Sequence, residues 1–284
     1  MNRQKSKYWI ALMFLPLLIS CEKEVKNGIP DFEQKLVVTS FITPSKYDLN
    51  ILVYSNRRIY GELGTAETLG DLTGSISDDT KEIALERTAT GFKTHPSEMR
   101  IEEGKTYKLS VISNKGLATE ASCFVPFTRK LQVEIDTFTV IKTGWWPAFT
   151  AKVSMTDFPG EVNYYRLYCE QKFYSRVTKL LLYARIYPDF TNEFFTDAGR
   201  DGQRIEIAAL NIAGKTRSSL ADSSVFIAYV FNTSKEYYDY HMSIKNYSGG
   251  DDPFTEVSPV YTNITGGLGI FAAYTTDSLA TIIK

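Results

Sequence analysis

The sequence predicts a mainly β protein, with an immunoglobulin-like N-terminal β-sandwich followed by a second β-rich domain that carries one amphipathic helix. Three observations lead there. Apolar residues recur at every second position in short runs, most plainly Tyr107, Leu109 and Val111 alternating with Lys108 and Ser110, the period of a strand with one buried face. Aromatic residues make up 13% of the chain, with 18 Tyr and 17 Phe, types that suit pleated, half-buried surfaces. Turn signals such as Glu103-Gly104, Pro159-Gly160, Pro188-Asp189 and Asp201-Gly202 punctuate the runs.

Taken in order, residues 1–20 read as a lipoprotein signal peptide, 21–34 as a tether, 35–127 as the sandwich and 128–284 as the C-terminal domain. The run Leu36–Ile42 ends at Thr43-Pro44, and Leu49, Ile51 and Val53 then alternate with Asn50, Leu52 and Tyr54. Gly61 to Thr80, rich in Gly, Thr and Asp, is expected to hold a long loop and one strand around Gly74–Ser77. Val125-Pro126 closes a unit of about 90 residues, the size of an immunoglobulin-like sandwich.

The second half offers strands at Leu131–Ile135, Phe149–Met155, Tyr164–Glu170, Lys179–Tyr187, Arg204–Leu210 and Ser224–Phe231. Thr233-Ser234-Lys235-Glu236 fits a capping box with Thr233 as the cap. Tyr237, His241, Ile244 and Tyr247 follow at spacings of four and three, so they share a helix face that should pack on a sheet. Near the C-terminus, Leu268, Ile270 and Ala272 alternate with Gly269, Phe271 and Ala273. Both faces of that strand are apolar, so it belongs inside a packed layer, closing the second domain with Phe271 as its largest buried side chain.

The first residues say where the protein works. Arg3, Lys5 and Lys7 precede an apolar run from Tyr8 to Ile19, and the run ends in Leu18-Ile19-Ser20-Cys21. This is the pattern of a bacterial lipoprotein signal, too short to span a bilayer. Cys21 is the expected lipidation site, cleaved before and acylated on thiol and amine with palmitate-type chains. At about 0.8 kcal/mol per buried CH₂, two or three chains make a durable anchor in the lipid bilayer. Three of the 32 basic residues and none of the 33 acidic ones fall in the first 20 positions, which leaves a net charge of −4 for the remainder. That balance argues against nucleic acid as a partner.

Chemistry-bearing motifs are sparse. There is no phosphate loop, dinucleotide turn, zinc-protease helix or Gly-x-Ser-x-Gly elbow. No catalytic residue, cofactor or metal is expected. Asp197, Asp201, Glu206, Asp251, Asp252 and Glu256 are carboxylates that a glycosidase could use in pairs, or simply solvated loop charges. Asp197-Ala198-Gly199-Arg200-Asp201-Gly202 has the look of a calcium loop but lacks the regular oxygen ligands and closing Glu. His95 and His241 stand far apart, without a Cys or second His at ligand spacing; His241 is expected as a hydrogen-bonded histidine of core or rim. Cys123 and Cys169 are read either as two small buried hydrophobes or as a bridge. Trp145 and Trp146, in the turn Gly144-Trp145-Trp146-Pro147, are candidates for ligand binding by stacking, or cover for the end of a sandwich core. Asp277-Ser278-Leu279 matches a short O-glycosylation acceptor at Ser278.

The C-terminal elements Asp252-Pro253-Phe254-Thr255-Glu256 and Thr262-Asn263-Ile264-Thr265-Gly266-Gly267-Leu268-Gly269-Ile270-Phe271 resemble those of a Bacteroidota lipoprotein family catalogued as domain of unknown function 4249. In that family an Asn-Pro-Phe-x-Glu-Pro element precedes a Ser-Asn-Ile-x-Gly-Gly-Leu-Gly-Ile-Phe element. Asp252, Val257 and Thr262 depart from the pattern; Asn263, Gly267, Gly269 and Phe271 agree. The resemblance implies an outer-membrane, surface-facing accessory lipoprotein, often encoded beside TonB-dependent receptors, and it supplies no catalytic residue. The expected function is binding of a nutrient or a TonB-dependent receptor partner without catalysis. An envelope hydrolase acting on glycan or peptide, and a structural or adhesive module, are the alternatives.

Overall fold

The computed structural model describes residues 33–57, 68–128, 134–143, 146–175, 178–186, 193–213, 224–247 and 259–283. The chain divides into two units, one of 1–33 with 58–64 and the other of Gln34–Arg57 with Thr65–Lys284. Every element described below belongs to the second. Among the described residues there are sixteen strands and one helix, the mainly β architecture with a single helix that the sequence implies.

The first sandwich uses β1 (Leu36–Ile42), β2 (Leu49–Ser55), β3 (Leu72–Ser77), β4 (Glu82–Ala84), β5 (Glu86–Thr88), β6 (Gly91–Thr94), β7 (Thr106–Ser113) and β8 (Ala118–Phe124). One layer has the order β4-β3-β7-β8; the other contains β1-β2-β6-β5. Strict alternation in β1, where Leu36, Val38, Ser40 and Ile42 are buried, aims one face inward against Ile76, Tyr107, Leu109 and Val111 of the opposite layer. Gly104 takes φ +72° in the turn before β7, as the Glu103-Gly104 signal requires.

The second sandwich follows with β9 (Glu134–Thr143), β10 (Trp146–Thr156), β11 (Tyr164–Tyr174), β12 (Leu181–Ile186), β13 (Phe194–Thr196), β14 (Arg204–Ala213) and β15 (Ser224–Thr233). Strands β14-β10-β9 form one layer. The other is β12-β11-β15, with β13 paired to β11. Their core joins Val153, Met155, Ile205 and Ile207 to Tyr165, Leu167, Cys169, Phe226 and Val230.

The last strand, β16 (Leu268–Ile283), runs for 16 residues, beyond the usual length of about 3–10. Its first part pairs parallel with β1, from Val37↔Leu268 to Ile42↔Ala273, and its second part pairs antiparallel with β15, from Thr233↔Tyr274 to Ser224↔Ile283. A single nine-stranded sheet therefore serves both sandwiches. Phe271 and Ala273 enter the first core while Leu279, on the same face, packs on the second. The apolar strand is buried as its two-faced pattern predicts, with Phe271 fully buried. However, Phe271 fills the first core and not the second, because parallel pairing with β1 brings it there.

The helix α1 (Lys235–Lys245) lies on the outer face of this shared sheet. Tyr237, Tyr238, Tyr240 and Met242 cover Phe41, Phe194, Ile270, Ala272 and Tyr274. Two expectations are corrected. The cap is Ser234, whose Oγ accepts from the Tyr237 N–H at 3.3 Å, while the Thr233 hydroxyl donates to the Tyr164 carbonyl at 3.1 Å. Ile244 and Tyr247 are exposed, so the covering face is centred on Tyr237 and His241 and turns away from the sheet beyond Met242.

Candidate functional site

Of the carboxylates singled out from sequence, the fold brings two together and adds one. Asp157 follows β10, Asp197 follows β13 and Asp201 precedes β14; one oxygen from each lies within 4.8 Å of the others. Asp157 and Asp197 are 2% and 5% exposed, and Asp201 is exposed. Two loops hold them. The Gly202 N–H donates to Asp157 Oδ2 at 2.9 Å, the Gly160 N–H to Asp201 Oδ1 at 2.8 Å, and the Asn163 N–H to Asp197 Oδ2 at 3.0 Å. Each loop thus supplies carboxylates to the other's backbone. Both turn glycines have positive φ, +91° at Gly160 and +67° at Gly202, which lets their N–H groups turn toward these oxygens.

Tyr165 completes the inner side, its hydroxyl donating to Asp157 Oδ1 at 2.6 Å. Burial, followed by that bond, pushes the Tyr165 hydroxyl far above its ordinary range, so it stays a donor. Asp157 was missed by sequence reading because nothing near it in the chain carries a ligand pattern; only the Pro159-Gly160 turn signal pointed to its loop. Glu206 is elsewhere, on β14, paired with Lys152 at 2.5 Å. Asp251, Asp252, Glu256, Trp145 and Cys21 lie outside the described residues. Trp146 opens β10, paired with Thr143.

The remaining candidates take structural places. His241 is bonded through Nδ1 to the Tyr237 carbonyl at 2.8 Å and stacks on Tyr237 and Phe194 at 4.2 and 5.3 Å between centroids. Burial lowers its pKa, leaving a neutral ring whose Nδ1–H donates. His95 is in an exposed turn, bonded to Ser97 Oγ at 2.7 Å. Cys123 and Cys169 are unbridged and buried, one in each sandwich core. Burial pushes the Cys123 thiol well up and that of Cys169 up to about 12; neither is a nucleophile at neutral pH. Ser278 is exposed on β16 opposite Tyr229.

A second feature involves the C-terminal motif. Residues 261–265 run beside β8, where Thr265 and Glu120 exchange backbone bonds of 2.8 and 3.1 Å, before Gly266-Gly267 carries the chain across to β16. Asn263 bridges the two layers. Its Nδ2 donates to the Phe271 carbonyl at 2.7 Å and the Ser122 carbonyl at 3.3 Å, and its Oδ1 accepts from the Phe271 N–H at 3.0 Å. At Gly269, with φ +109°, a Cβ would stand 2.0 Å from the Val38 carbonyl oxygen. The motif therefore works by backbone satisfaction and close strand approach at the edge of the first sandwich. Beside it opens a groove of about 580 Å³, lined by Glu82, Lys108, Glu120, Glu236, Tyr261 and Asn263 among others.

A sequence model of one family, Domain of unknown function (DUF4249), matches residues 22–280. The chain belongs to this family. A search of curated proteins finds no match. The match spans both sandwiches and α1, so the DUF4249 unit is the pair joined by β16 and not either sandwich alone.

Proposed function

We propose that the mature protein starts at an acylated Cys21, is held by lipid on the outer membrane facing the cell surface, and acts as a non-catalytic accessory lipoprotein that binds a nutrient or a TonB-dependent receptor. The observation that carries this reading is Leu18-Ile19-Ser20-Cys21 after a basic start and an apolar run. The groove beside Asn263 supports a binding role, since its volume of about 580 Å³ lies in the range of about 300–1,000 Å³ typical of small-ligand sites. Its lining is polar and rests on paired strands and a capped helix, a rigid platform. A hydrolase needs a nucleophile and base, or two carboxylates, facing an open cleft. The buried carboxylates that converge, Asp157 and Asp197, already accept bonds from backbone and tyrosine donors, which favours a non-catalytic reading.

Cys21→Ala should move the protein from the outer-membrane fraction to the soluble fraction. Retention in the membrane after a high-salt wash would mean that lipid is not the anchor. Crosslinking of the acylated protein in cells should enrich a receptor-sized barrel over an unrelated lipoprotein control. Absence of that enrichment would remove the receptor partner.

A further inference from the structure

We propose that the groove beside Asn263 takes an extended peptide segment that carries two basic side chains, Lys or Arg, at positions i and i+4. The proposal rests on the binding role above and names the ligand class of that site.

The floor of the groove is a regular lattice. Strand pairing sets Glu82, Ser77, Lys108 and Ser122 side by side across β4, β3, β7 and β8. Glu120 lies one row away, two residues along β8 from Ser122. Lys108 points away from the core, because the alternate set of β7, Tyr107, Leu109 and Val111, is buried within it. Tyr261 and Asn263 of the C-terminal motif supply one wall, and the first turn of α1 adds Glu236.

Charge is unbalanced there. Three carboxylates, Glu82, Glu120 and Glu236, line the groove with Lys108 as the one base in its lining. Among the described residues none of the three makes an ion pair or a side-chain hydrogen bond. The Tyr261 hydroxyl feels the same field: burial, and then the Glu236 and Asp239 carboxylates, raise it above its ordinary value, so it stays a donor. A ligand that fills the groove strips water from these carboxylates, and a stripped carboxylate needs a counter-charge. An anion is repelled, and a neutral ligand brings donors without charge. A cationic ligand answers the imbalance.

Spacing decides its shape. Strands β4 and β8 stand three strand spacings apart, about 14 Å at about 4.8 Å each, so no single ammonium pairs with both Glu82 and Glu120. Between them Lys108 repels a cation at the centre and offers its protons to a neutral acceptor. A linear polyamine carries protonated amines along its whole length and meets that repulsion. An extended peptide lying across the strands does not, since its basic side chains sit at the two ends and its carbonyls face Lys108 in the middle. At about 3.3 Å per residue, i and i+4 are about 13 Å apart and emerge on the same face of the peptide.

The test measures binding to the full chain in detergent by isothermal titration calorimetry. The probes are end-blocked pentapeptides, Lys-Ser-Thr-Ser-Lys, its neutral counterpart Gln-Ser-Thr-Ser-Gln and the isomer Lys-Lys-Ser-Thr-Ser, together with spermine and maltopentaose. The spaced basic peptide should bind with a Kd below about 1 mM, at least about fivefold more tightly than each of the others, and should weaken as salt rises from about 0.05 to 0.5 M. Glu82→Gln and Glu120→Gln, both at exposed positions, should each weaken it by about two- to fivefold with the Tm unchanged. Lys108→Met should weaken the peptide and strengthen spermine. Spermine or the isomer binding as tightly as the spaced peptide, or unchanged affinity in both glutamate variants, would overturn the proposal. Equal or tighter binding of maltopentaose or the neutral peptide would overturn the cationic class while leaving the groove a ligand site. Binding by none of the probes would also overturn it, and the receptor crosslinking above then decides the binding role separately.

Discussion

Replacing Phe271 with alanine tests the claim that β16 unites the two sandwiches. Phe271 is fully buried in the first core, and its backbone is held on both sides by Asn263. The backbone cannot easily collapse into the space the ring leaves. A buried Phe contributes about 150–250 Å², and truncation to Ala typically costs about 3–5 kcal/mol, transfer energy and cavity together. Against a total stability of about 5–15 kcal/mol, that is a large fraction. For a chain of this size about 2–4 °C is lost per kcal/mol, so the Tm should fall by about 6–20 °C. The assay is thermal unfolding of the full chain, followed both by far-ultraviolet circular dichroism and by tryptophan fluorescence. Trp146 opens β10 of the second sandwich, so fluorescence reports on the half that does not contain the cavity. Because β16 pairs with both β1 and β15, both probes should shift together. A Tm within about 2 °C of wild type would refute the burial argument, since a cavity of this kind costs more than 1 kcal/mol. A shifted dichroism transition with unmoved fluorescence would refute the unity of the two halves.

Two further outcomes follow from local geometry. Gly269→Ala would place a Cβ 2.0 Å from the Val38 carbonyl oxygen at φ +109°; the parallel β1–β16 pairing must part. The loss in stability should exceed the roughly 1–3 kcal/mol of backbone strain alone, and urea unfolding should show it, whereas an unchanged midpoint would mean that the close approach is not made. Asp78 provides a pH signature. The Thr80 hydroxyl and N–H, the Lys81 N–H and Lys105 hold its carboxyl far below the ordinary value of 3.8. A carboxyl whose folded pKa is depressed stabilises fully above its unfolded pKa and loses that contribution as pH falls toward the folded value. The Tm gap between wild type and Asp78→Asn should therefore be widest above about pH 5 and narrow toward about pH 2; a gap independent of pH would remove Asp78 as a titrating contributor.

Most strands were legible from residues alone because alternation is local. Leu36–Ile42, Leu49–Ser55, Tyr107–Val111 and Tyr164–Glu170 each show one buried and one outward set, and a pleated chain must segregate them. The helix was legible too, but its cap was not. Thr233 and Ser234 are both able to cap, and the choice was made by the Tyr164 carbonyl, which occupies the Thr233 hydroxyl. Arg166 escaped notice for a similar reason: its bonds to Glu193 at 2.7 Å and to the Tyr237 hydroxyl at 2.6 Å span 27 and 71 residues of chain.

The sequence by itself determined the element types, the lipidation pattern at Cys21 as an expectation, and the two-faced apolar character of the final strand. Only the tertiary structure decided where that strand belongs, since parallel pairing with β1 joins residues more than 200 positions apart and leaves no mark on either segment's periodicity. It also decided that Asp157 and Asn163 meet Asp197 and Asp201. Such convergence depends on distance in space, and two turns about 40 residues apart come within reach only when antiparallel pairing and their exchanged backbone bonds bring them to one end of the same sandwich.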